Sequence, residues 1–306
     1  MRWTKRHNLW SGWHQAETIG KNQLEKEGAQ ASRSLTIRTM KLDKSSLFRH
    51  GLYVQTMTAR DKLRQLANSL RPVKTRFELQ RYGGDSDGGY LLPADFEGIK
   101  TCFSPGVDVV AGFELDIQSR KGIESHLADY SVDGPPMNLT PKSFLKKYIG
   151  VFDDDVYTTL DTWVRATDDF KSGDDMLLQM DIEGGEYLSL LGVTEELLKR
   201  FRIIVIEIHD VVNWGDPLFF KMVSTFFEKI TRHFWVLHNH PNNCAGMVNL
   251  GGFWAPQVFE LTLLRKDRAT SLGYCEQFPH PLDRPNCPGQ RDPVLPRHWF
   301  GDQPPA

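Results

Sequence analysis

The apolar residues of this chain fall into short continuous runs, separated by segments in which apolar residues recur at helical spacing. One run, at residues 177–180, is too short for a helix and ends abruptly at Asp181-Ile182-Glu183-Gly184-Gly185. A continuous apolar run of strand length that stops at glycines is typical of a strand buried on both faces. Similar runs at 100–104, 123–130, 202–209, 234–240 and 258–264 predict further strands.

Helical patterns lie between these runs. Apolar spacing and capping residues predict helices at 58–70, 141–149, 187–200 and 216–232. Strands that alternate with helices from about residue 95 onward predict an α/β fold, with a Rossmann-like, doubly wound and mostly parallel sheet. We expect the last strand to be antiparallel, because the connection from His240 to Val258 has little helical signal.

Composition and charge exclude some classes of function. The chain has 306 residues, 40% of them hydrophobic, and a formal net charge of −2, which gives no global attraction to nucleic acid or to an anionic membrane. No apolar stretch reaches the roughly 20 residues that cross a bilayer, so we expect a soluble protein. The 4 cysteines are widely spaced and form no CxxC pair, so neither a structural zinc site nor a disulfide framework is expected.

The chain is expected to comprise one main domain with an extension at each end. Residues 1–55 carry 10 Lys or Arg against 4 Asp or Glu and predict a basic, poorly ordered extension. The α/β domain is predicted at 56–270, followed by a Pro-rich tail, 271–306, that packs on it. A cytoplasmic location is the default, and organellar targeting by the basic segment stays open. The sequence does not indicate an oligomeric state.

Polar residues collect at the ends of the predicted strands. Asp181 and Glu183 alternate onto one face of their strand, and Glu207 with His209, and His238 with His240, form two similar pairs. Buried carboxylates that repel one another need a cation, hydrogen-bond donors or a ligand. If the strands are neighbours, these groups converge at one edge of the sheet.

Such a cluster suits either of two chemical uses. It can bind a divalent cation, and oxygen ligands favour Mg²⁺, with Asp181, Glu183 and His240 as the candidate ligands. It can instead hold a general base that takes a proton from a hydroxyl group, for which His209 and His238 are the candidates and Glu207 the polarising partner.

Another candidate site follows the strand at 100–104. Gly106 stands at a turn between that strand and a helix start, where a nucleotide-type cofactor can approach the main chain. About 25 residues later, Asp129 ends the next strand, the position of an acid that holds ribose hydroxyls. The full GxGxxG motif is absent from the sequence. A second glycine-rich loop, at 83–89, surrounds Asp85 and Asp87.

Several short motifs together resemble the FkbM family of S-adenosylmethionine-dependent methyltransferases, over residues 75–285. The most specific are Thr159-Leu160-Asp161 and the block Leu178-Gln179-Met180-Asp181-Ile182-Glu183-Gly184-Gly185-Glu186. Further agreement comes from Asp87-Gly88-Gly89-Tyr90, Ser104-Pro105-Gly106-Val107, Phe113-Glu114-Leu115-Asp116, Val132-Asp133-Gly134-Pro135-Pro136, Glu207-Ile208-His209 and His240-Pro241-Asn242-Asn243.

The resemblance implies a class I methyltransferase sheet and methyl transfer from S-adenosylmethionine to an oxygen atom. The acceptor implied is a hydroxyl on a sugar, a glycan or another small metabolite. The positions that match the family's cofactor site are Gly106, Glu114, Asp129, Asp181, Asp87 and Gly88. Two departures, Pro105 and the segment Ala128-Asp129-Tyr130-Ser131, affect the detailed cofactor contacts.

Three other functions fit parts of the sequence. Gly84-Asp85-Ser86-Asp87-Gly88 matches the GxSxG elbow of serine hydrolases, although an elbow turns directly into a helix and residues 89–93 read as extended. Asp85-Ser86-Asp87 resembles the metal-binding Asp-x-Asp of glycosyltransferases. The third alternative is a methyltransferase-like binding module without turnover.

Overall fold

The computed structural model of the protein describes residues 44–107 and 111–299. By its internal contacts the chain divides into two units, Met1–Val54 and Gln55–Ala306. In the first unit the described residues form one short helix, α1 (Lys44–Arg49), and Phe48 stacks on Tyr53 with ring centroids 6.0 Å apart. Residues 1–43, most of the predicted N-terminal extension, lie outside the described residues, and the domain boundaries stay a prediction.

The strands belong to the second unit. In chain order they are β1 (Leu79–Tyr82), β2 (Tyr90–Pro93), β3 (Thr101–Pro105), β4 (Glu124–Ala128), β5 (Ser143–Leu145), β6 (Tyr148–Gly150), β7 (Tyr157–Thr159), β8 (Met176–Met180), β9 (Phe201–Ile208), β10 (Phe234–Pro241), β11 (Met247–Leu250), β12 (Phe253–Pro256) and β13 (Phe259–Arg265).

Seven of these strands form one sheet, in the order β10, β13, β9, β8, β3, β4, β5. Neighbouring strands from β9 to β5 are parallel, and β13 runs antiparallel to both β9 and β10. The predicted antiparallel last strand is therefore confirmed. Three two-stranded sheets, β1 with β2, β6 with β7 and β11 with β12, complete the strand pairing.

Helices of the second unit pack against both faces of the sheet. They are α2 (Arg60–Ser69), α3 (Gly112–Lys121), α4 (Leu160–Arg165), α5 (Asp168–Ser172), α6 (Glu186–Gly192), α7 (Glu195–Leu198) and α8 (Pro217–His233). Every residue of β8 and β9 is buried, as expected for strands covered on both sides. The sheet and its helices make a mixed α/β fold, as the alternating pattern predicts.

The longest helix, α8, shows why this sequence folds onto the sheet. Asp216 caps its first turn by accepting hydrogen bonds from the N–H groups of Leu218 and Phe219, both at 2.8 Å, which is worth about 1 kcal/mol. Phe226 and Phe227 lie on its buried face, and each fully buried phenylalanine contributes about 1.5–3 kcal/mol.

Two of the predicted helices differ in the structure. The helix predicted at 141–149 is wrong: the segment contains β5, which pairs with β4 with Ser143 opposite His126, and the start of β6, which pairs with β7. The helix predicted at 187–200 is broken at Val193 into α6 and α7. The break occurs because Thr194 begins α7 as its cap and donates its hydroxyl to Asp161 at 2.6 Å.

The structure contains one disulfide that the sequence analysis, which expected no disulfide framework, did not indicate. Cys244 and Cys287 form a disulfide with their Cα atoms 5.3 Å apart, across 43 residues of sequence. Spacing in the sequence does not indicate this pair, because the fold, and not a short motif, brings the two cysteines together. Cys102 and Cys275 are free. The disulfide attaches residues 276–292, here called the C-terminal strap, beside the end of β10.

No helix in the described part of the chain is both long and apolar enough to cross a membrane.

Candidate functional site

Four neighbouring strands bring polar side chains into one row. In the register of the sheet Met180 pairs with Ile206, Glu207 with Glu260, and Glu260 with His240. Asp181 directly follows Met180, so the row across β8, β9, β13 and β10 is Asp181, Glu207, Glu260 and His240. The structure thus brings three of the predicted strand-end residues, Asp181, Glu207 and His240, together with a further acid, Glu260, which the sequence analysis did not single out.

His209 lies among carboxylates at the end of β9. Its Nδ1 is 3.0 Å from Glu186 Oε1, and its Nε2 is 3.8 Å from Asp181 Oδ1 and 3.8 Å from Glu183 Oε2. Glu207 Oε2 is 3.9 Å from the same Nε2 atom. We call these five residues the strand-end cluster.

The charges of this cluster change its protonation. Burial opposes the charged form of His209, but the hydrogen bond and charge of Glu186, with Glu207 and Asp181, outweigh it and raise the pKa of His209 to about 10. Burial raises the pKa of Asp181 to about 7, although the charge of His209 acts against it. Burial and the charge of Asp181 raise the pKa of Glu207 as well. At neutral pH the histidine is therefore a cation and Asp181 is poised to exchange a proton.

Glu186, which carries no role in the sequence prediction, is the anchor of the cluster. It is fully buried, and its Oε1 accepts hydrogen bonds from the N–H of Ile182 at 3.2 Å and of Gly184 at 3.1 Å, beside His209. Positive φ angles at Glu183 (56°) and Gly184 (100°) make the tight turn that brings these N–H groups together. The glycine pair before Glu186 is the sequence signal that marks this turn.

The two histidines of β10 have other partners. His238 Nε2 lies 2.8 Å from Asp283 Oδ1, and His240 contacts Glu260 Oε2 at 3.3 Å and Asp292 Oδ2 at 3.5 Å. Burial opposes the charge of His240, but the hydrogen bond and charge of Glu260 raise its pKa to about 9. Asp283 and Asp292 both belong to the C-terminal strap, so the strap supplies acids that β10 itself lacks.

The metal ligands predicted from the sequence do not form a single group. Asp181 and Glu183 both face His209, whereas His240 faces Glu260 and the strap. Two other sets have ligand atoms within 4.8 Å of one another: Asp181 with Glu186 and His209, and Asp87 with Glu207 and Glu260.

Gly106 lies against the strand-end cluster through its backbone. It has a φ of 88°, and a Cβ atom there would come 1.6 Å from the carbonyl oxygen of Asp181. Only glycine allows this approach, so Gly106 fixes the position of Asp181. The main chain of Asp181 thus lies on the side of Gly106 where its Cβ atom would stand.

The other predicted cofactor residues on this side are placed near the ends of β3 and β4. Asp129 is buried and accepts hydrogen bonds from the N–H and the hydroxyl of Ser131, both at 2.7 Å. Glu114 is buried in the first turn of α3 and lies within hydrogen-bonding distance of the Ser104 hydroxyl. Burial raises the pKa of Glu114. Glu114 therefore lies against the interior of the sheet, whereas Asp129 lies directly after the carboxyl end of β4.

The glycine-rich loop joins two antiparallel strands, β1 and β2. Arg81 donates to the carbonyl oxygens of Gly84 at 2.6 Å and Ser86 at 3.2 Å, which holds the loop closed. The hydrolase alternative is therefore wrong for this loop, because a nucleophile elbow requires a helix directly after the serine and here β2 follows. Gly88 has a φ of 77°, and Asp87 projects toward Asn286 of the strap.

The glycosyltransferase alternative needs both aspartates of Asp85-Ser86-Asp87 at one metal ion, and the structure gives them different partners. Asp85 faces Arg81 Nε at 3.9 Å and Arg284 Nε at 3.8 Å, whereas the Asp87 carboxylate accepts from Asn286 at 3.1 Å. The two aspartates thus have separate partners.

A cavity of about 340 Å³ lies elsewhere, lined by residues of β6, α4 and α6 that include Asp161 and Arg165. Asp161 there accepts hydrogen bonds from the N–H of Thr194 at 2.9 Å and from the hydroxyl of Thr194. This aspartate of the Thr159-Leu160-Asp161 motif therefore attaches α4 to the start of α7, which is a structural role.

Comparison with known proteins agrees with the fold. Residues 120–233 match the family model described as the Methyltransferase FkbM domain, which confirms the resemblance read from the sequence motifs. The matched segment contains β4 to β9 and the whole strand-end cluster. No curated protein sequence matches the chain.

Proposed function

We propose that this chain, with its FkbM methyltransferase domain at residues 120–233, transfers a methyl group from S-adenosylmethionine to a hydroxyl of a sugar, a glycan or another small metabolite. The sheet supports the proposal, because a mostly parallel sheet with one antiparallel strand, β13, agrees with the class I methyltransferase sheet that the family resemblance implies. Ligands of open parallel sheets bind at the carboxyl ends of the strands, where the strand-end cluster lies.

The observation that carries the chemistry is the pair Asp181 and His209. The Oδ1 atom of Asp181 is buried and accepts no N–H hydrogen bond within the described residues, and the nearest cationic nitrogen, His209 Nε2, is 3.8 Å away. A carboxylate oxygen left in this state fits a cationic ligand or a hydroxyl donor.

Two acids at strand ends support S-adenosylmethionine as the methyl donor. Asp129, at the end of β4, would hold ribose hydroxyls, and Asp181 would face the positive end of the cofactor. When bound, S-adenosylmethionine supplies a methyl group already activated by its sulfonium charge. The protein then has to align the acceptor and remove its proton, and alignment is worth about 7–11 kcal/mol.

We assign the general base to Asp181 instead of to His209. His238, the other histidine named by the sequence analysis, is paired with Asp283 of the C-terminal strap. A histidine with a pKa of about 10 carries a proton at neutral pH and cannot accept another. A carboxylate with a pKa of about 7 is about half ionised there, which suits a base. In this proposal His209 and Glu207 act by setting the charge around Asp181.

Replacement of Asp181 by asparagine tests the assignment. It keeps the shape of the side chain and removes the base, so the transfer rate should fall by about 10²- to 10⁴-fold. Asp168→Asn is the matched control, because Asp168 is 96% exposed and pairs only with Lys171 among the described residues. The measurement is S-adenosylmethionine binding by calorimetry, followed by methyl transfer to a panel of glycan and small-molecule acceptors.

The outcomes are distinct. Failure of the wild-type chain to bind S-adenosylmethionine would contradict the proposal. Binding without turnover on any acceptor would favour the binding-module alternative. Full activity of Asp181→Asn would remove Asp181 as the base. A divalent cation on Asp181 is the competing mechanism, and activity that disappears with a chelator and returns with Mg²⁺ would support it.

The disulfide bears on the compartment. Disulfides persist in oxidising compartments and are rare in the reducing cytosol. The Cys244–Cys287 bond therefore favours a secretory or other oxidising location over the cytoplasmic default. Thiol labelling of the protein taken directly from its cells tests this, since reduced Cys244 and Cys287 would contradict it.

A further inference from the structure

A serine, a histidine and an aspartate form a chain of hydrogen bonds outside the strand-end cluster. The histidine is His126 of β4, and both of its ring nitrogens have partners. Its Nδ1 lies 2.6 Å from Ser143 Oγ, and its Nε2 lies 2.8 Å from Asp169 Oδ2. The three residues belong to β4, β5 and α5, and the sequence analysis assigned no role to them. A nucleophile bonded to a base, which a third group orients, is the arrangement of nucleophilic catalysis.

Asp169 is the fixed end of this chain of hydrogen bonds. Its other oxygen, Oδ1, accepts from the Thr101 hydroxyl at 2.7 Å and from Lys142 Nζ at 2.6 Å. Burial opposes the charge of Asp169, but the hydrogen bonds of Lys142, His126 and Thr101 outweigh it and lower the pKa of this carboxyl to about 2. Asp169 is therefore ionised at neutral pH, and an ionised carboxylate can only accept hydrogen bonds.

The ionised carboxylate decides the tautomer of His126. Because Asp169 can only accept, the proton of the neutral imidazole lies on Nε2, and the Nδ1 atom presents its lone pair to Ser143. The Ser143 hydroxyl then donates its hydrogen to that lone pair. The imidazole is thus in the state of a general base beside a hydroxyl nucleophile.

The base is buried, whereas the nucleophile is accessible. The side chain of His126 is 6% exposed, and its ring stacks on Phe103 with the ring centroids 4.8 Å apart. Ser143 is exposed at the start of β5. A ring held by packing keeps its lone pair directed at the serine, and an exposed hydroxyl can be reached by a small molecule from solvent.

The position of β5 in the sheet bears on the charge that such a reaction creates. β5 is the last strand in the order of the seven-stranded sheet, and in the described part of the chain it pairs only with β4. The unpaired edge of a strand presents main-chain N–H groups. N–H groups of this kind stabilise the negative oxygen that forms when a serine attacks a carbonyl carbon.

We propose that Ser143, His126 and Asp169 hydrolyse small esters at a site separate from that of the proposed methyl transfer. In the first step Ser143 Oγ bonds to the acyl carbon, its proton passes to His126 Nδ1, and the alkoxide takes that proton and leaves as an alcohol. In the second step His126 takes a proton from water, which attacks the acyl-serine, and the proton returns to Ser143 as the acid leaves. Ester and water thus give acid and alcohol, with no other reactant.

Labelling of the full chain with a fluorophosphonate probe, which reacts with activated serines, tests the nucleophile. We expect the probe on Ser143, located by mass spectrometry, and no label at this position in Ser143→Ala. Ser119→Ala is the matched control, because Ser119 is also an exposed serine but donates to the carbonyl oxygen of Asp116. The Ser119→Ala variant should be labelled to the same extent as the wild type.

Hydrolysis of p-nitrophenyl acetate measures the roles of the other two residues. Loss of the base in His126→Gln should lower kcat/KM by about 10²- to 10⁴-fold. Asp169→Asn should lower it too, because the amide can donate to Nε2 and thereby favour the tautomer whose Nδ1 carries the proton. Circular dichroism verifies the fold of each variant. Ser143→Ala changes an exposed position, so it keeps the test valid even if the other two variants do not fold.

Three results would overturn the proposal. These are no label on Ser143 in the wild type, equal ester hydrolysis by the wild type and Ser143→Ala, or full labelling of Ser143 in a folded His126→Gln variant. The last result would show that His126 only joins the strands to α5. These measurements need neither S-adenosylmethionine nor a residue of the strand-end cluster, so failure here and failure of the proposed function are distinguishable.

Discussion

The strand-end cluster and the histidines of β10 look alike in sequence but are built differently. His209 finds its acids in the turn after β8, at the start of α6 and on β9, all within 30 residues of one another. His238 and His240 find theirs on β13 and in the C-terminal strap, at Asp283 and Asp292. The first arrangement follows from the parallel sheet alone, whereas the second needs a distant segment to be attached. The C-terminal strap therefore supplies acidic partners to the histidines of β10, whereas the strand-end cluster does not need it.

The disulfide gives the largest expected difference between the two regions. Closing a loop of 43 residues is worth about 4 kcal/mol of unfolding free energy in the chain-entropy model. Replacing Cys244 and Cys287 by serine should therefore lower the stability by about this amount, as measured by denaturant unfolding. In the same variant, NMR of the imidazoles should show changed resonances for His238 and His240 and unchanged ones for His209.

Cys275→Ser is the control for the disulfide. Cys275 is a half-buried free thiol, so its replacement should leave the stability within about 0.5 kcal/mol of the wild type. Equal changes at His209 and at the two β10 histidines after loss of the disulfide would show that the strap supports both regions, which would end the contrast.

Sequence reasoning found the part of the site that depends on strand periodicity. Asp181, Glu207 and His240 were placed by alternation at the ends of buried strands, and the structure aligns them in one row because parallel strands end at the same edge. Glu260 was not predicted because it lies near the start of its strand. Since β13 is antiparallel to β9, its first residues lie at the edge of the sheet where the parallel strands end.

Contacts made by irregular segments were not predictable from the sequence. The pairing of Cys244 with Cys287, and the position of Asn286 on Asp87 and Glu260, depend on the path of a Pro-rich strap without periodic pattern. The edge strand β5 was missed for a related reason: its residues fit a helix locally, and only pairing with β4 decides the conformation.

The titration of His240 is expected to change the free energy of unfolding by less than the loss of the disulfide does. The pKa of His240 is raised from 6.5 to about 9, so its contribution is fully present below about pH 6.5 and is lost as the pH rises through 9. The full shift corresponds to about 3 kcal/mol. His240→Gln should therefore make the loss of stability between these pH values smaller, while the part that comes from His209, whose pKa is about 10, remains; urea unfolding at several pH values measures this.

His233→Gln is the comparison for this titration, because His233 lies at the end of α8, away from the strap, with Nε2 3.4 Å from Glu195. In this variant His240 keeps Glu260 and Asp292 as its partners, so the part of the pH dependence that these two acids cause should remain. If His240→Gln leaves the slope unchanged too, the charge of His240 is not stabilised by Glu260 and Asp292 in the way described.

The smallest expected effect lies within the strand-end cluster. Glu186→Gln keeps an oxygen for the N–H groups of Ile182 and Gly184 but removes the charge beside His209, so it should cost about 1.5–3 kcal/mol at neutral pH, the value of a hydrogen bond to a charged group. The pKa of His209, about 10 in the wild type, should fall, because the hydrogen bond and the charge of Glu186 stabilise its protonated form. An NMR titration of the imidazole measures this shift.

Glu196→Gln is the control for the loss of a glutamate charge, since Glu196 is 69% exposed and pairs with Arg165. A surface pair of this kind is worth about 0–1 kcal/mol, and the pKa of His209 should not change in this variant. If Glu186→Gln also leaves that pKa unchanged, then Asp181, Glu183 and Glu207 hold the imidazolium without Glu186. The cluster would in that case be set by three strand-end acids, and its charge would still prevent His209 from acting as the base.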